Sequence, residues 1–409
     1  MLPKEWKECQ LKDVIASLEA GVSVNGEGRP ADLNEKGVLK VSSVSYGIFK
    51  PQENKAIIED DVSRARLNPK KDKIIFSRAN TPELVGASAY IYQDYPNLYL
   101  SDKLWQIEPR SDNISMRWLS FLLGSPTMRK KIADSASGSS KSMQNISKAD
   151  FLEIEISLPP LPEQKKIAEI LGAWDTAIEQ LETLIEKKQL LKRGLMQKLL
   201  TGKMRFREFE EKDWSEGPLG DFVEKIVGGG TPRREISEYW SNNEIPWITV
   251  KDMKSKIIHR TQEYISKLGL AKSATSLITA NTLIVSTRMA VGRIVFCDRD
   301  AAINQDLKAI FTKNILNPHF LGFYFEYYGN IISGMANGST VKGIGLDQLK
   351  ALRICIPSLI EQCRIVEILQ LSEYELHILR KQIETLKTQK LGLQLELLSG
   401  RLRVNTDNP

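Results

Sequence analysis

The sequence predicts an α+β protein: two α/β blocks related by a pseudo-twofold axis and joined by two long helices that form an antiparallel coiled coil. Three observations predict it. The chain repeats itself, the best-matched parts of the repeat are helical segments carrying a heptad seam, and the segments between them show short strand-like runs mixed with helical ones.

The repeat is visible when the 409 residues are laid on themselves at an offset of 198. Glu163-Gln-Lys-Lys-Ile-Ala-Glu-Ile-Leu171 then falls on Glu361-Gln-Cys-Arg-Ile-Val-Glu-Ile-Leu369 with six of nine positions identical. Leu199-Leu-Thr-Gly-Lys-Met-Arg205 falls on Leu397-Leu-Ser-Gly-Arg-Leu-Arg403 at the same offset. Weaker echoes precede each match: Trp6 with Leu11-Lys-Asp13 and Trp214 with Leu219-Gly-Asp221, Ser77-Arg78 and Ser286-Thr-Arg288, Ala136-Ser-Gly-Ser-Ser140 and Ala336-Asn-Gly-Ser-Thr340. The chain therefore divides into a first block (1–158), a first long helix (159–207), a second block (208–356) and a second long helix (357–409).

In the first block, Lys73–Phe76 and Phe151–Ile156 read as strands bounded by turn formers, and Met116–Ile132 as a helix. In the second, Thr282–Val285 and Leu352–Ile356 read as strands and Pro318–Gly334 as a helix. A twisted, mostly antiparallel sheet with helices beside it accommodates each set. Each long helix begins after a proline stop, carries Glu in its first turn, and ends at Gly202 or Gly400, the residue suited to a left-handed C′ position. A run from Glu163 to Thr201 spans about 58 Å at ~1.5 Å per residue, and a helix of that length needs a partner.

The seam steps 4, 3, 4, 3 through Ile167, Leu171, Trp174, Ile178, Leu181, Ile185, Lys188, Lys192, Leu195 and Leu199. Adding 198 gives Ile365, Leu369, Ser372, Leu376, Leu379, Ile383, Leu386, Lys390, Leu393 and Leu397 in the same phase. Heptad spacing of apolar residues is the signature of a coiled coil. Two related helices in one chain pack about a twofold axis and hence antiparallel, so facing seam residues should have numbers summing to 564. Trp174 then faces Lys390, Lys192 faces Ser372, and Lys188 is left opposite Leu376.

Charge and composition narrow the function. Fifty-seven basic and 51 acidic residues leave a net +6. The first block holds 22 and 21, the second 18 and 17, and the first helical segment 10 and 6, so each block is nearly neutral. Affinity for a polyanion must then come from local sorting of charge or from a partner. Four cysteines without C-x-x-C spacing and three scattered histidines, His259, His319 and His377, suggest neither a disulfide framework nor a metal site, and no cofactor is expected. No stretch approaches 18 consecutive apolar residues and the first residues lack the apolar core of a signal peptide, so a cytoplasmic protein without membrane association is expected.

The Leu158-Pro-Pro-Leu-Pro-Glu-Gln164 lead-in, the Glu-Gln-x-x-Ile-x-x-Ile-Leu helix start, the Leu-Leu-Thr-Gly helix end and the passage from Gly228-Gly-Gly-Thr-Pro232 to Ile245-Pro-Trp-Ile-Thr-Val-Lys251 resemble the specificity subunit of type I restriction-modification systems. The resemblance covers the whole chain. It implies that each block is a target-recognition domain reading one half of a split, asymmetric site in double-stranded DNA. The two helices would be spacer and docking surface for two modification (methyltransferase) subunits, with room for restriction subunits and no catalysis in this chain. Two other classes stand beside it, a coiled-coil scaffold without DNA recognition and a DNA methyltransferase. The second is disfavoured because no Asn/Asp-Pro-Pro-Tyr/Phe motif is present.

Candidate DNA contacts follow from charge and loop chemistry. In the first block they are Lys71, Lys73 and Arg78, with the polar glycine loop Ser139, Ser140 and Lys141. In the second they are Arg233, Lys251, Lys254 and Arg288, with the matching loop Ser339, Thr340 and Lys342. Cations clamp phosphates or grip guanine, and small hydroxyl residues beside a lysine suit a phosphate; solvated surface and plain turns are the alternatives. Leu184, Leu190, Leu191 and Met196 add apolar helix surface that the seam does not use, available for partner docking or for contact with the blocks. Gly228–Gly230 is not a P-loop, since no Gly-Lys-Thr follows.

Overall fold

A computed structural model describes residues 3–45, 47–140, 143–335 and 343–406, with the backbone alone for 138–140. It divides into two compact units that do not follow chain order: 1–182 with 381–409, and 183–380. Each unit holds one block, the first half of one long helix and the second half of the other.

In the first unit the strands Ile15–Ala20, Leu104–Pro109, Ile74–Ser77 and Ser88–Tyr90 lie side by side in that order, every neighbouring pair antiparallel. A helix, α1 (Met116–Gly124), packs on this sheet, and Lys7–Gln10 pairs with Glu155–Leu158 where the block meets the long helix α2 (Leu161–Leu200). The second unit repeats this build. Its sheet runs Val223–Gly228, Leu307–Thr312, Leu283–Ser286, Ile294–Cys297, with Ile257–Ile258 added parallel at the edge. Its helix α3 (Pro318–Tyr327) corresponds to α1, and Ser215–Pro218 pairs with Arg353–Ile356 ahead of α4 (Leu359–Leu398).

Three local expectations are corrected. The helix expected over Met116–Ile132 breaks after Gly124, because Ser125 ends α1 and caps the next helix, Pro126–Ser135, whose first residue is proline. The one expected over Pro318–Gly334 breaks likewise at Tyr328, ahead of Gly329. Phe151 is not in a strand. Ser147 caps a short helix, Lys148–Leu152, that drives the fully buried Phe151 ring onto Phe76 and Trp105.

Every seam residue is buried or half-buried. The helices pair antiparallel within each unit, as four cross-helix ion pairs show: Lys390 with Asp175 and Lys387 with Glu182 at 2.8 Å in the first unit, Lys188 with Glu375 at 2.8 Å and Lys192 with Glu373 at 2.6 Å in the second. The numbers of three pairs sum to 563 to 565, within one residue of the expected register, and Lys387 with Glu182, at 569, reaches about one helical turn along it. The partners differ in detail, because a lysine stem reaches past the seam to a flanking carboxylate. Lys188, expected to be left over, has Glu375, and the ring beneath Lys390 is Phe121 of the block, at 5.3 Å, rather than Trp174.

The repeated Glu-Gln at each helix start now has a physical cause. Gln164 accepts from the Ser115 amide at 2.8 Å and donates to the Pro159 carbonyl at 2.9 Å; Gln362 does the same with Asn317 and Pro357, both at 2.8 Å. Glu163 takes Arg403 at 2.7 and 3.0 Å, and Glu361 takes Arg205 at 3.0 and 2.7 Å. Thus the glutamate opening one helix is neutralised by the arginine beyond the end of the other. Gly202 and Gly400 sit at φ +69° and +72°, and a Cβ on either would meet Trp214 or Pro3 and Trp6.

Candidate nucleic-acid interface

The two weak sequence echoes meet in space. At the end of its central strand each block turns sharply around a fully buried serine, whose hydroxyl donates to the carbonyl two residues on: Ser77 to Ala79 at 3.5 Å, Ser286 to Arg288 at 2.6 Å. Backbone bonds then tie this turn to the chain leaving the glycine loop. The amide of Ile146 donates to Arg78 at 3.0 Å and that of Ile344 to Thr287 at 2.9 Å, while Ala79 pairs with Asn145 and Arg288 bridges Gly343. The serine–arginine turn and the segment that follows the glycine loop therefore form one corner in each unit.

The corners carry different side chains on this shared frame. Arg78 donates from Nε to the Asp102 carbonyl at 2.8 Å and from its terminal nitrogen to Asn145 Oδ1 at 3.1 Å, which holds the guanidinium in place. Arg288 is exposed, and no carboxylate pairs with it among the described residues. It lies near Lys308, a half-buried lysine whose pKa is lowered by burial first and by Arg288 second. The position corresponding to Lys308 in the first block is the buried Trp105. Sequence reasoning missed Lys308; a lysine inside the otherwise apolar run Leu307–Phe311 was the available signal.

Other candidates are placed as follows. Lys71 is exposed, and its amide is bound to Asp94 at 2.8 Å. Lys73 is half-buried and paired with Glu108, which supplies the anion a phosphate would. Arg233 is exposed beside Arg234, which grips Glu263 and lies 3.8 Å over the Trp240 ring. The pKa of Glu263 is lowered chiefly by Arg234, with Lys251 adding to it, so Arg234 and Lys251 gather about one carboxylate. Lys254 is exposed and lines a cleft of ≈ 600 Å³ with Lys256, Arg293 and Glu326. The side chains of Ser139 and Ser140, and all of Lys141, Ser339, Thr340 and Lys342, lie outside the described residues.

Gly229 is required by a close approach of backbones. A Cβ there would lie 1.9 Å from the Ile303 carbonyl oxygen, and one on Gly21 in the first block 1.9 Å from that of Leu100. On the long helices Leu184, Leu190 and Leu191 are exposed by 39%, 61% and 56%, but Met196, at 4%, belongs to the second unit's core and leaves the docking set.

Residues 3–191 and 211–388 each match the type I restriction modification DNA specificity domain. The chain belongs to this family. Carrying the domain twice, it has the build of a specificity subunit with two target-recognition domains, and not that of a bare scaffold or a methyltransferase. A putative type I restriction enzyme MjaX specificity subunit from Methanocaldococcus jannaschii is 25% identical over 421 residues, covering 99% of this chain and 95% of that one. The EcoR124I/EcoR124II specificity subunit of Escherichia coli is 30% identical over 237 residues, 55% of this chain and 57% of that one. The fold is also that of the S subunit from M. genitalium, at a TM-score of 0.59 and 15% identity over 96% of both chains. The HsdS subunit from Thermoanaerobacter tengcongensis gives 0.51 and 19% over 98% of both. No helix among the described residues is long and apolar enough to cross a membrane.

Proposed function

We propose that this chain reads a two-part, asymmetric site in double-stranded DNA, one half-site per block, and presents its paired helices to two modification subunits that carry the methyl-transfer chemistry. The observation that carries the reading is the corner formed in each unit, where the same backbone frame holds different cations. A repeated frame with divergent side chains suits two different half-sites held in one fixed relation. The near-neutral blocks make DNA binding by the chain alone weak and salt-sensitive, with tight binding arising in the complex.

Mapping the methylated sites of the assembled complex tests this. Two half-sites separated by a fixed spacer are expected, and Arg288→Ala with Lys308→Met should weaken binding to cognate DNA by roughly tenfold or more while lowering the salt dependence by about one phosphate contact per cation. A continuous single-part site, or unchanged binding in the double variant, would contradict the assignment.

Docking is assigned to the outer flank of the second unit's helix pair. Leu184, Leu190 and Leu191 of α2 and Leu371, Tyr374 and Ile378 of α4 are all exposed there. The opposite flank is covered by the block, where Met196 and Val366 are buried. Leu184→Glu with Leu191→Glu should reduce modification-subunit binding by about tenfold or more, since each removes apolar surface worth roughly 1.5 to 3 kcal/mol when buried. The circular dichroism spectrum should stay unchanged. Full-strength assembly would place docking elsewhere.

A further inference from the structure

The lysines in the seam are poorly explained as packing. Lys192 and Lys390 occupy the same heptad position in α2 and α4, are only 11% and 19% exposed, and pair with Glu373 and Asp175, which also correspond at the offset of 198. An apolar pair there would be at least as stable, because ions taken out of water lose hydration that their attraction barely repays. What the lysines add is a contact beyond the seam. Lys390 lies 5.3 Å from the centre of the Phe121 ring in α1, and Lys192 lies 5.7 Å from that of Phe323 in α3. Lys192 also reaches Glu326 of α3 at 3.0 Å, and Lys256 of the block joins both glutamates over the same ring at 4.3 Å.

The block helix in each unit is thereby held at two points, one on each long helix. In the first unit the amide of Ser115, ahead of α1, is held by Gln164 of α2; six residues on, Phe121 is held by Lys390 and by Gln394, whose amide donates to the Phe121 carbonyl at 2.9 Å, both on α4. In the second unit Asn317, ahead of α3, is held by Gln362 of α4, and Phe323 and Glu326 by Lys192 of α2. The apolar core that each block helix shares with the long helices holds it close without direction, so the directional polar contacts are what can fix its angle. Two attachments about 9 Å apart, on different helices, set its angle.

We infer that Lys390 and Lys192 are positioning residues that set the angle of each recognition block on the helix pair and so determine how strictly spacer length is read. This rests on the DNA-reading function proposed above. The test is methylation by the full complex on duplexes whose spacer is the preferred length or one base pair longer or shorter. Misplacement by about 1 Å can cost a reaction about 100-fold, so loss of a clamp should lower discrimination between preferred and altered spacers by about tenfold. Lys390→Met and Lys192→Met are expected to show that loss with both half-site sequences still read; Lys192→Met leaves Glu326 and Glu373 paired with Lys256. Lys390→Arg, which keeps the ion pair and the ring contact, should restore strict discrimination. Asp175→Asn removes the pair from its more exposed partner and carries the test if Lys390→Met does not fold. Wild-type discrimination in these variants overturns the clamp while leaving the DNA-reading function intact. A wild-type complex that methylates no two-part site overturns the DNA-reading function, and the clamp's role with it.

Discussion

Replacing Arg205 by alanine is expected to destabilise the second unit by about 3 to 5 kcal/mol, the usual result of leaving a buried charge without its partner. The Glu361 side chain is 1% exposed and receives both arms of the Arg205 guanidinium. Arg205 also donates to the carbonyls of Glu210 and Lys212, at 3.4 and 2.6 Å, so one side chain ties the end of α2, the turn leading into the second block and the start of α4. Arg403→Ala should cost less, because Glu163 keeps a second donor, the Trp6 indole at 2.9 Å. Urea unfolding, with hydrogen exchange resolving the two units, measures this. A loss below about 1 kcal/mol for Arg205→Ala, or a larger loss for Arg403→Ala, would show that the crossed glutamate–arginine pairs do not hold the helix ends.

Inserting seven residues into each long helix should abolish methylation at the native spacer by at least about tenfold and move the preference toward longer spacers. Seven residues preserve the 4, 3 phase of the seam and lengthen a helix by about 10 Å, close to three base pairs along duplex DNA. The sites of insertion follow from the division into units: between Glu182 and Thr183 in α2, and between Arg380 and Lys381 in α4, each unit keeps all its internal contacts. An unchanged spacer preference would mean that helix length is not what sets the distance between half-sites.

Acid should loosen the charge cluster on α3 in a defined direction. Burial alone would raise the Glu326 pKa, but Lys256 and Lys192 outweigh it and hold it below the usual carboxylate value. Its contribution is thus present at neutral pH and is lost only as pH falls through that lowered value. Burial would lower the Lys192 pKa, yet Glu373 and Glu326 raise it, so its contribution is lost only as pH rises through the raised value. The two directions place the cluster's working range across neutrality.

Much of this was legible in the chain itself. Heptad phase, the offset of 198 and the terminal glycines determined the two helices, their seam and their register, because periodicity and backbone conformation are local properties that residue type controls directly. The same comparison located Ser77–Arg78, Ser286–Arg288 and the glycine loops, since a repeated motif stands out against divergent surroundings. What the chain could not show is which charges are already paired. Lys73 looked free until Glu108, 35 residues away, was placed against it; Lys308 was passed over until the fold set it by Arg288; and Met196 looked like surface until the second block covered it. Side-chain pairing across strands and helices depends on distances that no local pattern encodes. The sequence alone determined the two-copy architecture, and the tertiary structure alone decided that each recognition block is held by halves of both helices, because antiparallel pairing brings the end of one copy's helix to the beginning of the other's.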